Sequence, residues 1–219
     1  MPLSVRRFVG GPLETNAYLV SDSGSGDAIV VDAPPGVAEA IVDAVNASGA
    51  TVHQIVVTHG HWDHIAGLEA LARALGSPVF AHRAVRERIE RPAGDSPVPV
   101  PPARLDGELD ESDEVTVGGH VFLVMHMPGH DPGHILLYSE DDSLILGGDV
   151  LFPGGHGRTD IPGADPQAMN ATLRRFLDLP ADVRVYPGHG DPTTLGAEHP
   201  WIRAIPAPAR PPAKQDETG

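Results

Sequence analysis

The chain has 219 residues, of which 41% are hydrophobic and 21% are charged, as in an ordinary globular protein. Fifteen basic residues against 30 acidic ones give a net charge of −15, which would repel a nucleic-acid backbone, and no local basic stripe offsets it. No segment approaches the roughly 20 apolar residues of a membrane helix, and the N-terminal segment lacks a signal-peptide core, so we expect a soluble cytoplasmic protein without nucleic-acid or membrane partners.

Apolar periodicity predicts alternating strands and helices over the first ninety residues. In the first predicted helix, for example, Val37, Ile41, Ala44 and Val45 fall on one face. Gly- and Pro-containing turns separate the early strands. Strands are predicted at 3–9, 15–21, 28–32, 55–58 and 78–82, and helices at 36–48, 65–75 and 83–90.

The second half begins after a segment rich in Pro, Gly and Asp, residues 92–114, which is predicted to be a loop. Beyond it, strands are predicted at 115–127, 134–140, 144–149 and 183–187, and a helix at 166–179. The Pro/Ala-rich tail, residues 205–219, is expected to be disordered, which leaves a domain at 1–204. This order of elements fits an α+β protein in which two αβ halves pack sheet to sheet.

The sequence VVTHGHWDHIAG follows an apolar strand and contains four residues able to bind a metal, His59, His61, Asp63 and His64. Histidines two residues apart on an extended turn can chelate one ion, while the next Asp–His pair can turn toward a second ion. The chain has no cysteine, so thiolate ligands and thiol nucleophiles are excluded.

Three further candidate ligands, His130, Asp149 and His189, each follow a predicted strand and are flanked by glycine. Because sheets bring such strand ends to one edge, these side chains are expected to meet the first four. Seven ligands are too many for one tetrahedral zinc and suit two metals that share a ligand. Asp149 is the natural bridge, because a carboxylate has two oxygens. The other histidines that we considered as structural or surface residues are His53, His82, His120, His126 and His199.

In order along the chain, THGHWDH, PGH at His130, GGD at Asp149 and PGHG at His189 resemble the motifs of the metallo-β-lactamase superfamily. The resemblance reaches to about residue 202 and implies a four-layered αβ/βα sandwich. It implies one metal on His59, His61 and His130, a second on Asp63, His64 and His189, and Asp149 between them. Asp32 matches the first motif, whose carboxylate supports the metal-binding loop from behind.

Within the superfamily, GGDVLF followed by GRTD at 157–160 looks most like the glyoxalase II-like branch. That likeness implies hydrolysis of a small thioester, such as a hydroxyacyl-thiol, by a hydroxide held between the metals, with Asp63 orienting it and accepting its proton. Zinc is the expected metal, with iron or manganese as alternatives. The helical domain that binds glutathione in the longer enzymes has no counterpart here, so the chain resembles the short, single-domain type.

Other functions are also consistent with these motifs. A mono-iron persulfide dioxygenase of the same superfamily would use His59, His61, His130 and Asp149, or some of them, and also carries a GRTD-like segment. A lactonase, a phosphodiesterase or another hydrolase is a further alternative. True β-lactamases of the superfamily usually lack an aspartate at the position of Asp149. A metal-binding scaffold without activity is least favoured, because all seven ligands are present.

Four further residues lie near the predicted metals along the sequence. Trp62 could line the substrate pocket or pack against the following helix, and His156 could contact substrate or lie on the surface. Arg158 and Asp160 are expected to form a pair that braces the loop after Asp149. The nearest cations for substrate are Arg104 and Arg158, and the oligomeric state cannot be predicted.

Overall fold

The computed structural model describes residues 3–94 and 96–206, which form two six-stranded sheets with helices on their outer faces. The strands are β1 (Leu3–Gly10), β2 (Thr15–Asp22), β3 (Asp27–Val31), β4 (Thr51–Val57), β5 (Val79–Ala81), β6 (Gly107–Glu108), β7 (Glu114–Val117), β8 (His120–His126), β9 (Ile135–Ser139), β10 (Leu144–Gly148), β11 (Arg184–Pro187) and β12 (Thr193–Thr194). The helices are α1 (Ala38–Ser48), α2 (Trp62–Ile65), α3 (Leu68–Leu75), α4 (Arg86–Glu90), α5 (Pro166–Arg175) and α6 (Leu195–Ala204). None of these helices is long and apolar enough to cross a membrane.

Each sheet combines antiparallel and parallel pairing. The first has the order β1-β2-β3-β4-β5-β6, antiparallel up to β3 and parallel from β3 to β6. The second has the order β12-β11-β10-β9-β8-β7, in which β10 and β11 are parallel and the other neighbours are antiparallel. The ends of β4, β10 and β11 that carry candidate ligands are therefore the carboxyl ends of parallel strands, where sites are commonly built.

Three buried apolar clusters define four layers. Between the sheets, Ile29 and Val31 of the first sheet share a cluster with Phe122 and Leu137 of the second. The outer face of the first sheet packs against α1 and α3, and that of the second against α5 and α6. The α+β sandwich predicted from the sequence is confirmed, because both sheets bury both faces.

Two predicted elements are interrupted by glycine. The strand predicted at 115–127 is a hairpin, in which Val117 pairs with His120 across Gly118 and Gly119, and Gly118 has a φ of +57°. The helix predicted at 65–75 starts at Trp62 but breaks before α3. At the break a side chain on Gly67 would overlap the backbone carbonyl of Pro34, so the chain turns where close approach requires glycine.

The C-terminal region contains a helix that we did not predict. Pro200 lies inside α6 and lowers the helical propensity of that segment. Thr194 begins the helix by accepting a hydrogen bond from Ala197 N. In the predicted loop at 92–114, the described residues include the short strand β6 and the first residue of β7. The disorder predicted for 205–219 concerns residues that lie, from 207 onward, outside the described chain.

Candidate metal centre

The segment between β4 and α2 presents His59 and His61, and the first turn of α2 presents Asp63 and His64. His59 and His64 are fully buried, and Asp63 is 5% exposed. His61 is extended, with φ −73° and ψ 145°, so it precedes the helix without belonging to it. The change from extended chain to helix directs these two pairs of side chains into two neighbouring groups.

The remaining candidate ligands come from the second sheet. His130 follows β8, Asp149 follows β10 and His189 follows β11. Asp149 N donates to His134 Nε2 (2.9 Å), which fixes the loop after β10. The loop carrying His189 is held by the first sheet, because Tyr18 donates its hydroxyl hydrogen to Pro187 O (2.6 Å). The centre therefore lies where the two sheets meet.

The seven side chains form two ligand groups connected by Asp149. His61 Nδ1 lies 2.8 Å from His130 Nε2. Asp149 Oδ2 lies 3.5 Å from His130 Nε2 and 3.3 Å from His189 Nε2, so one carboxylate faces both groups. Within each group the candidate ligand atoms lie within 4.8 Å of one another; the groups are His59, His61 and His130, and Asp63, His64 and His189.

Several buried atoms in these groups have no hydrogen-bond partner. They include His59 Nε2, His64 Nε2 and Asp149 Oδ1. When His64 donates its Nδ1 hydrogen to Asp32, its Nε2 lone pair faces Asp149 Oδ1 at 3.3 Å, which is unfavourable unless a cation or a proton lies between them. A set of imidazoles and carboxylates is also the ligand chemistry that divalent transition metals use. The residues therefore fit two divalent ions.

Asp32 and Thr15 hold the ligands from behind. Asp32 Oδ2 accepts hydrogen bonds from Thr58 Oγ1 and His64 Nδ1, both at 2.8 Å, and its Oδ1 accepts from Thr58 N. These contacts place Asp32 directly behind His64 and Thr58. Thr15 donates to Asp63 Oδ2 (2.8 Å) and was not predicted, since a lone threonine in a strand gives no sequence signal.

Arg88, Asp131 and His134 also border the centre and were not predicted. Asp131 is fully buried beside His130, and its Oδ2 lies 2.5 Å from Arg88 Nη1 and 4.0 Å from His61 Nε2. His134 stacks on His59, with ring centroids 4.8 Å apart. Asp131 and His134 belong to the motif MPGHDPGH, so their closeness to His130 in sequence was an available signal, whereas Arg88 lies on α4 and has none.

The predicted peripheral residues separate into two groups. Trp62 lines a cavity of about 390 Å³ beside His61, which is the first of the two positions considered for it, the other being packing against the following helix. His156 is exposed and does not line that cavity; its ring centroid lies 6.2 Å from that of Trp201. Arg158 and Asp160 form the expected pair, at 2.8 Å, but both side chains are about 70% exposed. The contact to the centre comes from the backbone of Arg158, whose carbonyl oxygen lies 2.8 Å from His130 Nδ1.

The histidines assigned to structural or surface positions have other partners. His53 pairs with Asp27, His120 with Asp142, and His199 lies 3.0 Å from Phe176 O. His82 and His126 stack at 4.4 Å and, together with Asp110, form a further group of potential ligand atoms within 4.8 Å. That last group was not anticipated, because its members come from three distant segments.

The two ligand groups differ in their electrostatics. Burial lowers the pKa of His59 well below its usual value, and burial together with His130 lowers the pKa of His61 to about 4. Burial lowers the pKa of His189, but its hydrogen bonds to Asp149 and Asp63 outweigh this effect and raise the pKa to about 9. Burial lowers the pKa of His64, but the negative charges of Asp149 and Asp32 outweigh this effect and raise the pKa well above its usual value. Near pH 7, without metal, His59 and His61 are neutral while His64 and His189 carry protons.

Metal binding at the Asp63, His64 and His189 group is therefore expected to release up to two protons from the histidines. The apparent affinity of this group should increase up to about a hundredfold per pH unit near pH 7, because each raised pKa adds one proton to be displaced. His59 and His61 add nothing to the slope of the other group. Chelator competition from pH 6 to 8, with calorimetry in two buffers, measures both quantities. Two metals showing equal, flat pH profiles would contradict this assignment of protons.

A family comparison identifies the chain. Residues 10–189 match the model of the metallo-beta-lactamase superfamily, a range that includes all seven candidate ligands. The chain belongs to the metallo-beta-lactamase superfamily. As a member of this superfamily with clustered His and Asp ligands, it belongs among the metal-binding hydrolases.

Relatives of this superfamily member include hydroxyacylglutathione hydrolases. It is 38% identical to one from Cereibacter sphaeroides over 79% of this chain, but the match spans only 61% of that longer protein. It is 30% identical to hydroxyacylglutathione hydrolase GloC of Haemophilus influenzae over 84% of this chain and 90% of that protein. The second match thus spans nearly the whole of that relative.

Solved structures of the superfamily share the fold over most of the chain. The BLEG-1 B3 metallo-beta-lactamase superposes with a TM-score of 0.82, at 32% identity, over 93% of this chain and all of that one. TTHA1623 in a di-iron-bound form superposes with a TM-score of 0.78, at 38% identity, over 89% of this chain and 97% of that one. The same fold is therefore shared by a B3 metallo-beta-lactamase and by a protein in a di-iron-bound form.

Proposed function

We propose that the protein is a two-metal hydrolase that cleaves thioesters of small hydroxyacyl-thiols. The observation that supports this proposal most directly is Asp149, whose Oδ2 faces ligands of both groups and so suits two ions sharing one carboxylate. Two divalent ions held by these residues would acidify a bound water and polarise a carbonyl group, so no side-chain nucleophile would be needed. The hydroxyacylglutathione hydrolases among the relatives support the choice of a thioester.

Asp63 is the residue proposed to handle the proton. Although burial opposes it, hydrogen bonds from His189 and Thr15 lower the pKa of Asp63 to about 2, so the carboxylate is ionised at neutral pH. Thr15 donates to Oδ2, which also lies 3.3 Å from His189 Nε2, so the carboxylate faces the metal ligands and is proposed to orient the attacking water and accept its proton. The thiol product is a good leaving group and needs little help from a protein acid.

The proposal also covers the metal, the type of partner and the cellular location. Zinc is the proposed metal, because imidazole and carboxylate ligands suit it, although such ligands also accept iron and manganese. The proposed partner is a small-molecule substrate, since a net charge of −15 opposes nucleic acid. A cytoplasmic location is part of the proposal.

Elemental analysis and a substrate panel test the proposal. About two metals per chain are expected, together with thiol release from a hydroxyacyl thioester, followed with a colorimetric thiol reagent. A thiol panel sharing one acyl group should give kcat/KM values within about a hundredfold of one another, because Arg104 and Arg158, the predicted cations, are exposed and paired with Asp106 and Asp160. A larger preference for glutathione would reveal a dedicated thiol site.

Two results would overturn the thioesterase proposal. One iron per chain, with oxygen consumption on a persulfide and no thiol release from thioesters, would establish the dioxygenase alternative. Turnover of a β-lactam or a lactone at rates above those of every thioester would assign a different hydrolase, a necessary comparison given the similarity to BLEG-1.

A further inference from the structure

A cavity of about 390 Å³ lies directly beside the metal ligand candidate His61. Its walls come from residues 60–65, from Arg88, from residues 92–93 and 96–100, and from residues 161–162. Because liquid water occupies about 30 Å³ per molecule, the cavity could hold roughly a dozen waters or a similar number of non-hydrogen ligand atoms. Most of the side chains around it are apolar, among them Trp62, Ile65, Pro97, Val100, Ile161 and Pro162.

Arg88 is the single permanently charged side chain among the described residues that line this cavity. Its charge is compensated, because Nη1 lies 2.5 Å from the fully buried carboxylate of Asp131. The guanidinium group also lies against Gly60, where a side chain would come within 2.9 Å of Arg88 Nε. The ion pair is thus built into the cavity wall, and a cation neutralised in this way gives little attraction for an anionic ligand.

We propose that this cavity binds the acyl half of the substrate and that the preferred acyl groups are uncharged and larger than three carbons. The inference rests on the thioesterase proposal and adds the substrate class. A three-carbon hydroxyacyl group has about five non-hydrogen atoms and would leave more than half of the cavity unfilled. The thiol half of small biological thiols carries charged groups, which apolar walls would strip of water without supplying partners. An aliphatic or aromatic body fits the walls and the volume.

The test compares 2-hydroxyacyl thioesters of one thiol that differ only in the acyl body: lactoyl, 2-hydroxyisocaproyl and mandeloyl. Each buried methylene contributes about a fourfold gain in binding, so kcat/KM should rise at least tenfold from the lactoyl to the 2-hydroxyisocaproyl thioester. Replacing Ile161 with tryptophan should fill the cavity and remove that gain, so that the kcat/KM ratio of the 2-hydroxyisocaproyl to the lactoyl thioester falls to about one. Val121→Trp is the matched control, because Val121 is 43% exposed and does not line the cavity.

Binding without turnover gives a second readout. The chain has two tryptophans, so a Trp201→Phe background leaves Trp62 as the reporter inside the cavity wall. Ketone analogues, in which CH2 replaces sulfur, should quench Trp62 more strongly and at lower concentration as the acyl body grows. Ile161→Trp cannot be used in this assay because it adds a fluorophore, so Ile161→Phe replaces it and should weaken binding of the larger analogues.

The outcomes separate the two proposals. If no thioester is cleaved but the larger analogues still bind better, the thioesterase proposal fails and the cavity assignment stands. If all acyl groups are cleaved equally and Ile161→Trp changes nothing, the cavity assignment is wrong and the thioesterase proposal stands. A preference of more than tenfold for an acyl chain ending in a carboxylate over its neutral isostere would also overturn the assignment, because it would make Arg88 an anion-binding residue.

Discussion

Replacing Asp149 with alanine is expected to remove at least one metal per chain and to lower kcat/KM at least about a hundredfold. Loss of a residue that only supports a metal ligand typically costs ten- to a hundredfold, and Asp149 faces both ligand groups directly. Metal content by elemental analysis and turnover of the best thioester are the two measurements. Asp149→Asn keeps the size of the side chain and removes its charge, so it separates loss of the bridge from loss of folding.

The matched control for Asp149 is His53→Ala. His53 is an exposed histidine that pairs with Asp27, at 2.6 Å, and belongs to neither ligand group. Metal content and turnover should both stay close to those of the wild type. Equal losses in His53→Ala and Asp149→Ala would show that the histidines have been sorted wrongly between metal ligands and surface residues.

Gly188→Ala, which adds a single methyl group, is expected to impair the metal centre almost as much as Asp149→Ala does. A side chain on Gly188 would overlap Asp149 Oδ1 and come within 2.8 Å of His64 Cε1. The backbone cannot retreat easily, because Gly188 N donates to Gly148 O and Gly188 O accepts from Asn16 N, both at 2.7 Å. Overpacking of this kind costs about 1–3 kcal/mol of the free energy of unfolding. The displaced carboxylate should lower metal content and reduce turnover at least tenfold.

Gly119→Ala provides the comparison for Gly188→Ala. A side chain at Gly119 meets nothing within 4 Å, so this variant should retain metal, activity and melting temperature. Thermal unfolding and elemental analysis of both variants form the measurement. Gly188→Ala protein that binds two metals with normal turnover would show that the loop after β11 can move, against the two backbone hydrogen bonds that hold it.

The candidate ligands could be predicted from the sequence because each follows an apolar strand and stands in a short motif. His59, His61, Asp63 and His64 lie within six positions, so their shared location requires no knowledge of the fold. The second sheet adds its ligands at strand ends, a rule of sheet architecture. The fold was predictable for the same reason, since alternating apolar segments specify two αβ halves.

Contacts between distant segments could not be predicted. Arg88 meets Asp131 across 43 positions, and nothing in the sequence of α4 distinguishes Arg88 from its charged neighbours. Thr15 reaches Asp63 from a strand of ordinary composition. Closeness in sequence also says little about where a cation points: Arg104 and Arg158 are near the loops in sequence, and their side chains pair locally and face solvent.

The hydrogen bonds from Asn16 and Tyr18 to the Pro187–Gly190 segment have a consequence for the order of biosynthesis. A ribosome produces β2 first and His189 last among the parts of the centre, so the ligand set stays incomplete until nearly the whole domain has been translated. Strand β2 is therefore synthesised well before the Pro187–Gly190 segment that it holds by hydrogen bonds. Loading of both ions in the final geometry can therefore only follow translation of residue 189.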